Sequence, residues 1–266
     1  MTVEWLAFSS DWLILGGAAF FAGMVDAVVG GGGLIQIPVL LSQFPQTAIP
    51  TLFGTNKVAS IVGTSSAMVK YGRSVAIPWR IVLPATAAAL VGAWLGAALV
   101  AWLPREWMRP LVLVLMVAAA LYTFANKHFG HTATHEPKAS DPWLGALVGL
   151  VIGLYDGFFG PGTGSFLIFA FIRLFGMDFL RATAGAKVVN VATNLSAIAF
   201  FSTSGPLLWS VGIAMAACNL IGAQVGTFMA LRHGSGFIRK VFLVVVVVLI
   251  GKLALDVVRS WAPGLL

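Results

Sequence analysis

Ala22-Gly23-Met24-Val25-Asp26-Ala27-Val28-Val29-Gly30-Gly31-Gly32-Gly33 has a second copy, Ile152-Gly153-Leu154-Tyr155-Asp156-Gly157-Phe158-Phe159-Gly160-Pro161-Gly162-Thr163, 130 residues further on. The offset holds without a gap through Lys57/Lys187, Ser66/Ser196, Trp79/Trp209, Gly92/Gly222, Gly96/Gly226 and Arg109/Arg239. What returns is glycine together with one Asp and one Lys, in a chain that is otherwise apolar. Internal duplication that copies polar residues is a common construction of secondary transporters.

Hydrophobic residues make up 59% of the 266 and charged residues 9%, with a mean hydropathy of +0.95. A soluble domain carries about 25% charged residues. This chain cannot cover a water-facing surface, and it reads as an all-α polytopic membrane protein. Glu4 and Asp11 stand before the first apolar run, where a cleavable signal would place basic residues, so that run is expected to stay as membrane structure. The net charge of +7 fits the gathering of Lys and Arg in cytoplasmic loops. No basic block interleaved with aromatics is present, which sets nucleic acid aside as a partner. The single Cys218 permits no internal disulfide and reads as a small packing residue.

Five apolar segments recur in each half, at 12–29, 34–43, 51–71, 79–102 and 107–126, then at 143–159, 164–176, 182–201, 208–231 and 237–259. A spanning helix needs about 20 apolar residues. The third, fourth and fifth of each set reach that length, whereas the first two do not both reach it. Gly30 to Gly33, and Gly160-Pro161-Gly162-Thr163-Gly164, separate those first two. Broken backbone at membrane depth must be buried in protein or line a wet cavity. Each half is therefore expected to hold a pair of short, broken or re-entrant helices followed by three spans. The first repeat takes residues 1–126 and the second 143–266, with a polar linker at 127–142.

Basic residues decide how the halves relate. If each half crosses an odd number of times, the repeats are inverted and the loop Lys and Arg divide 10 to 4 between the two sides; parallel repeats give 7 to 7. The positive-inside rule favours inversion, in a multi-pass protein of the cell (inner) membrane with the linker cytoplasmic. His128, His131 and His135 in that linker offer metal ligands without a rigid element to orient them, and a solvated linker is the preferred reading.

The first signature continues to Gln36 and Pro38 and is followed by Gly54-Thr55-Asn56-Lys57; the second runs on through Gly164-Ser165-Phe166 to Ala184-Gly185-Ala186-Lys187-Val188-Val189-Asn190 and Asn194. In these paired motifs the chain resembles the TauE/SafE family of sulfite-exporter-like membrane transporters, and within it the YfcA-like branch. The likeness covers nearly the whole chain. It implies a transporter of small anions, sulfite and organosulfonates being the substrates usually associated with the family.

The residues themselves support an anion site. Glycine turns expose backbone N–H groups, and a helix starting just beyond adds its positive dipole end. Gly31, Gly32, Gly33, Gly162 and Gly164 fall at such places, with Thr163 and Ser165 adding hydroxyls in the second copy. Close helix packing is the alternative use of small residues, and it is preferred for Gly92, Gly96, Gly222 and Gly226 at small-xxx-small spacing. Three roles are open to Lys57 and Lys187: binding the anion, pairing with the Asp of the same repeat, or snorkelling to the interface. In the preferred mechanism both lysines attract the anion, while Asp26 and Asp156 balance them in the empty site and take up protons when it fills. A static salt bridge remains open beside it.

Asn56, Asn190, Asn194 and Gln36 are polar residues on apolar segments, suited to interhelical hydrogen bonds or to a lining. Lys187, Asn190 and Asn194 share a helix face, whereas Ser60 and Thr64 stand at the matching places of the first half, so the site is expected to be asymmetric. An anion channel and a transporter of small carboxylates are the alternative functions. No nucleophile–base constellation, metal cluster or phosphate-binding loop is evident, which argues against an enzyme and against a cofactor. The partners expected are a small anion and the bilayer; monomer and homodimer are both open.

Overall fold

The computed structural model describes residues 10–102, 114 and 141–233. Among these residues every extended element is a helix: α1 (Ser10–Val29), α2 (Gly33–Gln43), α3 (Ile49–Ser74), α4 (Trp79–Trp102), α5 (Asp141–Phe158), α6 (Thr163–Phe175), α7 (Phe179–Ser204) and α8 (Trp209–His233). The 130-residue offset that relates the sequence copies carries α3 onto α7 residue for residue, and α1, α2 and α4 onto their counterparts within two residues at either end. Apart from Val114, the fifth segment of each set lies outside the described residues, as does most of the linker, with its three histidines.

Local chemistry sets the helix ends. Pro50 sits in the first turn of α3, where a missing N–H costs nothing. Asp178 caps α7 by accepting the Arg181 N–H at 2.9 Å. Gly176 closes α6 in the left-handed conformation that terminates many helices. The break after α1 falls at Gly30, φ +75°, and the break after α5 at Gly160 and Gly162, φ +94° and +84°. Those conformations are costly for any residue with a Cβ, which is why glycine stands there.

The broken pairs are less equal than expected. α1 has 20 residues and is long and apolar enough to cross a membrane, with Asp26 the one charge in its last two turns. α2 with 11 and α6 with 13 residues rise only about 16–20 Å at 1.5 Å per residue, short of a ~30 Å hydrocarbon core. Each pair is thus a long helix followed by a short one. Four described helices qualify as spans by length and composition: Asp11–Val29, Trp79–Val100, Phe179–Ser204 and Trp209–Arg232. α3 has the length but not the apolarity, since Thr55, Asn56, Lys57, Ser60, Thr64, Ser65 and Ser66 run along it.

The distribution of side chains is that of a protein solvated by lipid. Leu13, Leu83, Trp102, Trp143 and Ile213 are more than half exposed, while Thr55, Lys57, Thr64, Asp156 and Lys187 are buried. Apolar area of that extent is costly in water and costs nothing in hydrocarbon. Between the helices the two halves interlock. α1 packs along α8, α5 along α4, and α3 against α7 at the centre. Each half's first helix therefore lies on the fourth helix of the other half.

Candidate functional site

The interlocking brings the two glycine turns into contact. A Cβ on Gly30 would overlap the backbone of Gly164, and one on Gly33 would come 3.2 Å from Pro161 Cα. Only residues without side chains allow two turns to approach so closely. Beside this contact lies a polar cavity of about 30 Å³, lined by Asp26, Gly30, Gly33, Asn56, Lys57, Ser60, Thr64, Asp156, Gly160, Thr163, Gly164, Asn190 and Asn194. That is room for one or two waters. The lining comes from both halves, drawn from the ends of α1 and α5, the starts of α2 and α6, and the middles of α3 and α7.

Two ion pairs flank the turns, and each joins one half to the other. Lys57 Nζ lies 2.7 Å from Asp156 Oδ1, and Lys187 Nζ lies 2.9 Å from Asp26 Oδ2. Pairing with the Asp of the same repeat, one of the three roles open to the lysines, is not what is found: each Lys pairs with the Asp of the other repeat. α1 and α3 of one half leave their Asp and Lys pointing to different partners because α7 and α3 face each other across the centre. Snorkelling is not seen either, since Lys57 is 4% exposed and Lys187 fully buried.

The pairs differ in their surroundings. Lys187 also donates to the Asp26 main-chain carbonyl, and Thr64 Oγ1 donates to the same Asp26 Oδ2 at 3.1 Å. Among the described residues Lys57 has only Asp156, whose buried Oδ2 has no hydrogen-bond partner. Asn56 Oδ1, on the helical turn that carries Lys57, is likewise buried without a partner among them.

The hydroxyls expected to serve an anion are already engaged. Thr163 Oγ1 donates to Gly160 O at 2.7 Å, closing its own turn, and Ser165 Oγ donates to Val29 O in the other half. Ser60 Oγ donates to Gln36 Oε1 at 3.0 Å. The side-chain amides of Asn190 and Asn194, one turn apart on α7, are engaged with no other described residue. An anion entering the cavity thus meets donors of two kinds, the Lys57 ammonium and the two asparagine amides.

Of the residues expected at the site, Asp26, Gly33, Asn56, Lys57, Asp156, Thr163, Gly164, Asn190 and Asn194 line the cavity. Gly31, Gly32, Gly162, Ser165 and Lys187 stand behind it or in the turns. Gly30 and Gly160 also belong to the lining, a role that reasoning from sequence does not assign them. Their return at the 130-residue offset is the signal that points to them. Gly92, Gly96, Gly222 and Gly226 lie away from the cavity, against the backbones of α5 and α1, as their spacing suggests.

Comparison with known proteins gives the family. Residues 15–253 match the family described as sulfite exporter TauE/SafE. A protein of Sinorhizobium sp., described as a probable membrane transporter, is 36% identical over 241 residues, covering 90% of each chain. A Haemophilus influenzae protein of the same description is 34% identical, over 91% of this chain and 93% of its own. The Escherichia coli probable membrane transporter YfcA is 31% identical, over 90% of this chain and 87% of its own. No solved structure gives a significant match. The chain belongs to the TauE/SafE family and is a transmembrane transporter.

Proposed function

We propose that the chain moves a small anion, sulfite or an organosulfonate, by alternating access at the cavity between the two glycine turns, and that a proton travels with it. The observation that carries this reading is the pair of Lys–Asp bridges, both with buried lysines, spanning the halves beside a cavity with free asparagine amides. Two lysines and two aspartates leave the empty site neutral. An anion bound to Lys57 would then add one uncompensated negative charge in a region of low dielectric, where a bare charge is costly. A proton on the released Asp156 restores neutrality. Loading is thereby linked to proton uptake, because neither ion enters cheaply without the other.

The repeats are taken as inverted in the membrane, with the basic loops cytoplasmic, in a multi-pass protein of the inner membrane. Inversion lets the two halves exchange conformations and open the same cavity to either side. The short α2 and α6, each starting at its turn, aim their N-terminal dipoles toward the middle of the bilayer under that arrangement.

Purified protein should be melted with sulfite, methanesulfonate, isethionate, taurine, sulfate and small carboxylates, then reconstituted for counterflow. Sulfite or a sulfonate is expected to raise the melting temperature, and labelled ligand is expected to exchange saturably. Sulfonates stay ionised at working pH, so acidification of the vesicle lumen during sulfonate uptake reports a proton carried by the protein. Stabilisation by carboxylates alone would move the substrate class. Flux that does not saturate would favour a channel, and silence across the panel would remove the anion reading.

A further inference from the structure

We propose that the two ion pairs divide the work: Lys57–Asp156 opens to admit the anion, while Lys187–Asp26 stays closed as a clasp between the halves. This rests on the anion-transport reading above and assigns the binding event to one of two sequence-equivalent pairs.

The duplication predicts equal roles, since Lys57 and Lys187, like Asp26 and Asp156, occupy matching positions. The surroundings make them unequal. Lys187 is fully buried, lies behind the cavity, and donates to both the carboxylate and the main-chain carbonyl of Asp26. Thr64 fills a further acceptor site on that carboxylate. Asp26 and Thr64 line the cavity, but Lys187 does not, and separating this pair would strand its ammonium with two lost partners out of reach of a ligand. A buried ammonium held by several acceptors at once resists such partial disruption.

Lys57 lines the cavity and holds one carboxylate oxygen. An ammonium carries three protons, so two remain for an incoming oxyanion. Asp156 Oδ2, without a partner among the described residues, is the oxygen at which a proton can be held once Lys57 turns to the ligand. Gly160 makes room for the movement: a Cβ there would stand 3.1 Å from Lys57 Nζ. Exchange at this pair is a substitution of one anion for another on the ammonium, with the proton going to the carboxylate displaced. No bond is made or broken besides that O–H.

The difference between the halves has a chemical source in the sequence. Ser60 and Thr64 of α3 line the cavity but donate their hydroxyls to Gln36 and Asp26, while Asn190 and Asn194 at the matching places of α7 keep their amides for a ligand. Thr64 tightens the Lys187–Asp26 pair. The asparagines bring donors to the ligand.

Neutral replacement of each pair tests the division, because Gln opposite Asn keeps a hydrogen bond and leaves no stranded charge. K57Q/D156N and K187Q/D26N are purified, melted with and without sulfite, and assayed for labelled sulfite counterflow. In K57Q/D156N the melting temperature is expected to stay within about 5 °C of the parent, while sulfite affinity falls at least about 100-fold, as when a desolvated charge partner is lost. In K187Q/D26N the sulfite-induced rise is expected to persist, with affinity reduced no more than about tenfold. Equal loss of sulfite stabilisation in both variants would overturn the division, as would a rise that survives K57Q/D156N. Should K187Q/D26N prove too unstable to purify, sulfite protection of Lys57 but not Lys187 from an amine-acylating reagent, read by mass spectrometry on the unaltered protein, decides the same question. If the unaltered protein responds to no anion, the transport reading fails instead, and that result is distinct from the other two.

Discussion

At Gly30 two constraints meet that no other residue satisfies together. The backbone holds φ +75°, and the space a Cβ would occupy is filled by the backbone of Gly164. Backbone atoms cannot swing aside as a side chain can, so alanine there must part the turns or prevent the halves from closing. Gly17 offers the contrast. It lies within α1, and a Cβ on it would meet nothing within 4 Å. Gly30→Ala is expected to lower the yield of monodisperse protein more than about tenfold. Gly17→Ala should raise stability by about 0.5–1 kcal/mol, the ordinary helix preference for alanine over glycine. Size-exclusion profiles and melting curves of the two variants side by side check both. Recurrence of the glycines along the chain is enough to mark the turns. Which glycine must touch which is not legible there, since a repeat offset aligns the copies and says nothing of how they face each other. The same limit hides the crossing of the ion pairs: Lys57 and Asp26 are near in sequence, yet their partners come from the other copy.

Between elements, contact depends on stripes of small residues. Gly145, Gly149, Gly153 and Gly157 of α5 rest on Ile81, Ala85, Ala89 and Ala93 of α4, and Gly222 and Gly226 of α8 rest on the backbone at Phe20 and Met24 of α1. In lipid there is little hydrophobic gain from bringing helices together, so close backbone approach and dispersion supply the attraction. A spacing of four residues is legible as packing from the amino-acid sequence alone, because it repeats on one helix face. The partner helix is not, as α8 could equally have docked within its own half. Gly226→Val is expected to cost about 2–3 kcal/mol, the usual range for overpacking a tight contact. It should leave the cavity chemistry alone, since Gly226 meets Met24, two residues from Asp26 but on the α8 side. Melting curves with sulfite give the check: a lower baseline temperature with the ligand-induced rise retained.

For the molecule as a whole, interlocking makes each half incomplete. α1 finds its groove on α8, α5 finds its groove on α4, and the central contact joins α3 to α7. Polar groups follow the same rule. Asn219 Nδ2 donates to Ala19 O at 3.2 Å, Ser196 Oγ donates to Leu90 O at 2.8 Å, and Gln224 Nε2 donates to Ser66 Oγ, each across the halves. A first half made alone loses Asp156 from Lys57 and Lys187 from Asp26, so it carries two stranded charges in apolar surroundings. Insertion scales put each at about 2.5–3.5 kcal/mol, before the exposed glycine stripes are counted. Division within the polar linker, into residues 1–134 and 135–266, tests this directly. Either piece expressed alone should aggregate or be degraded. Expressed together, the pieces should co-purify through a tag on one of them and recover the melting rise in sulfite, because every contact of the cavity is then present. A single piece that stays monodisperse and melts cooperatively would show that the crossed pairs and stripes are dispensable to folding. The two halves would then be domains that meet at a site, and the cavity would owe its shape to docking between them.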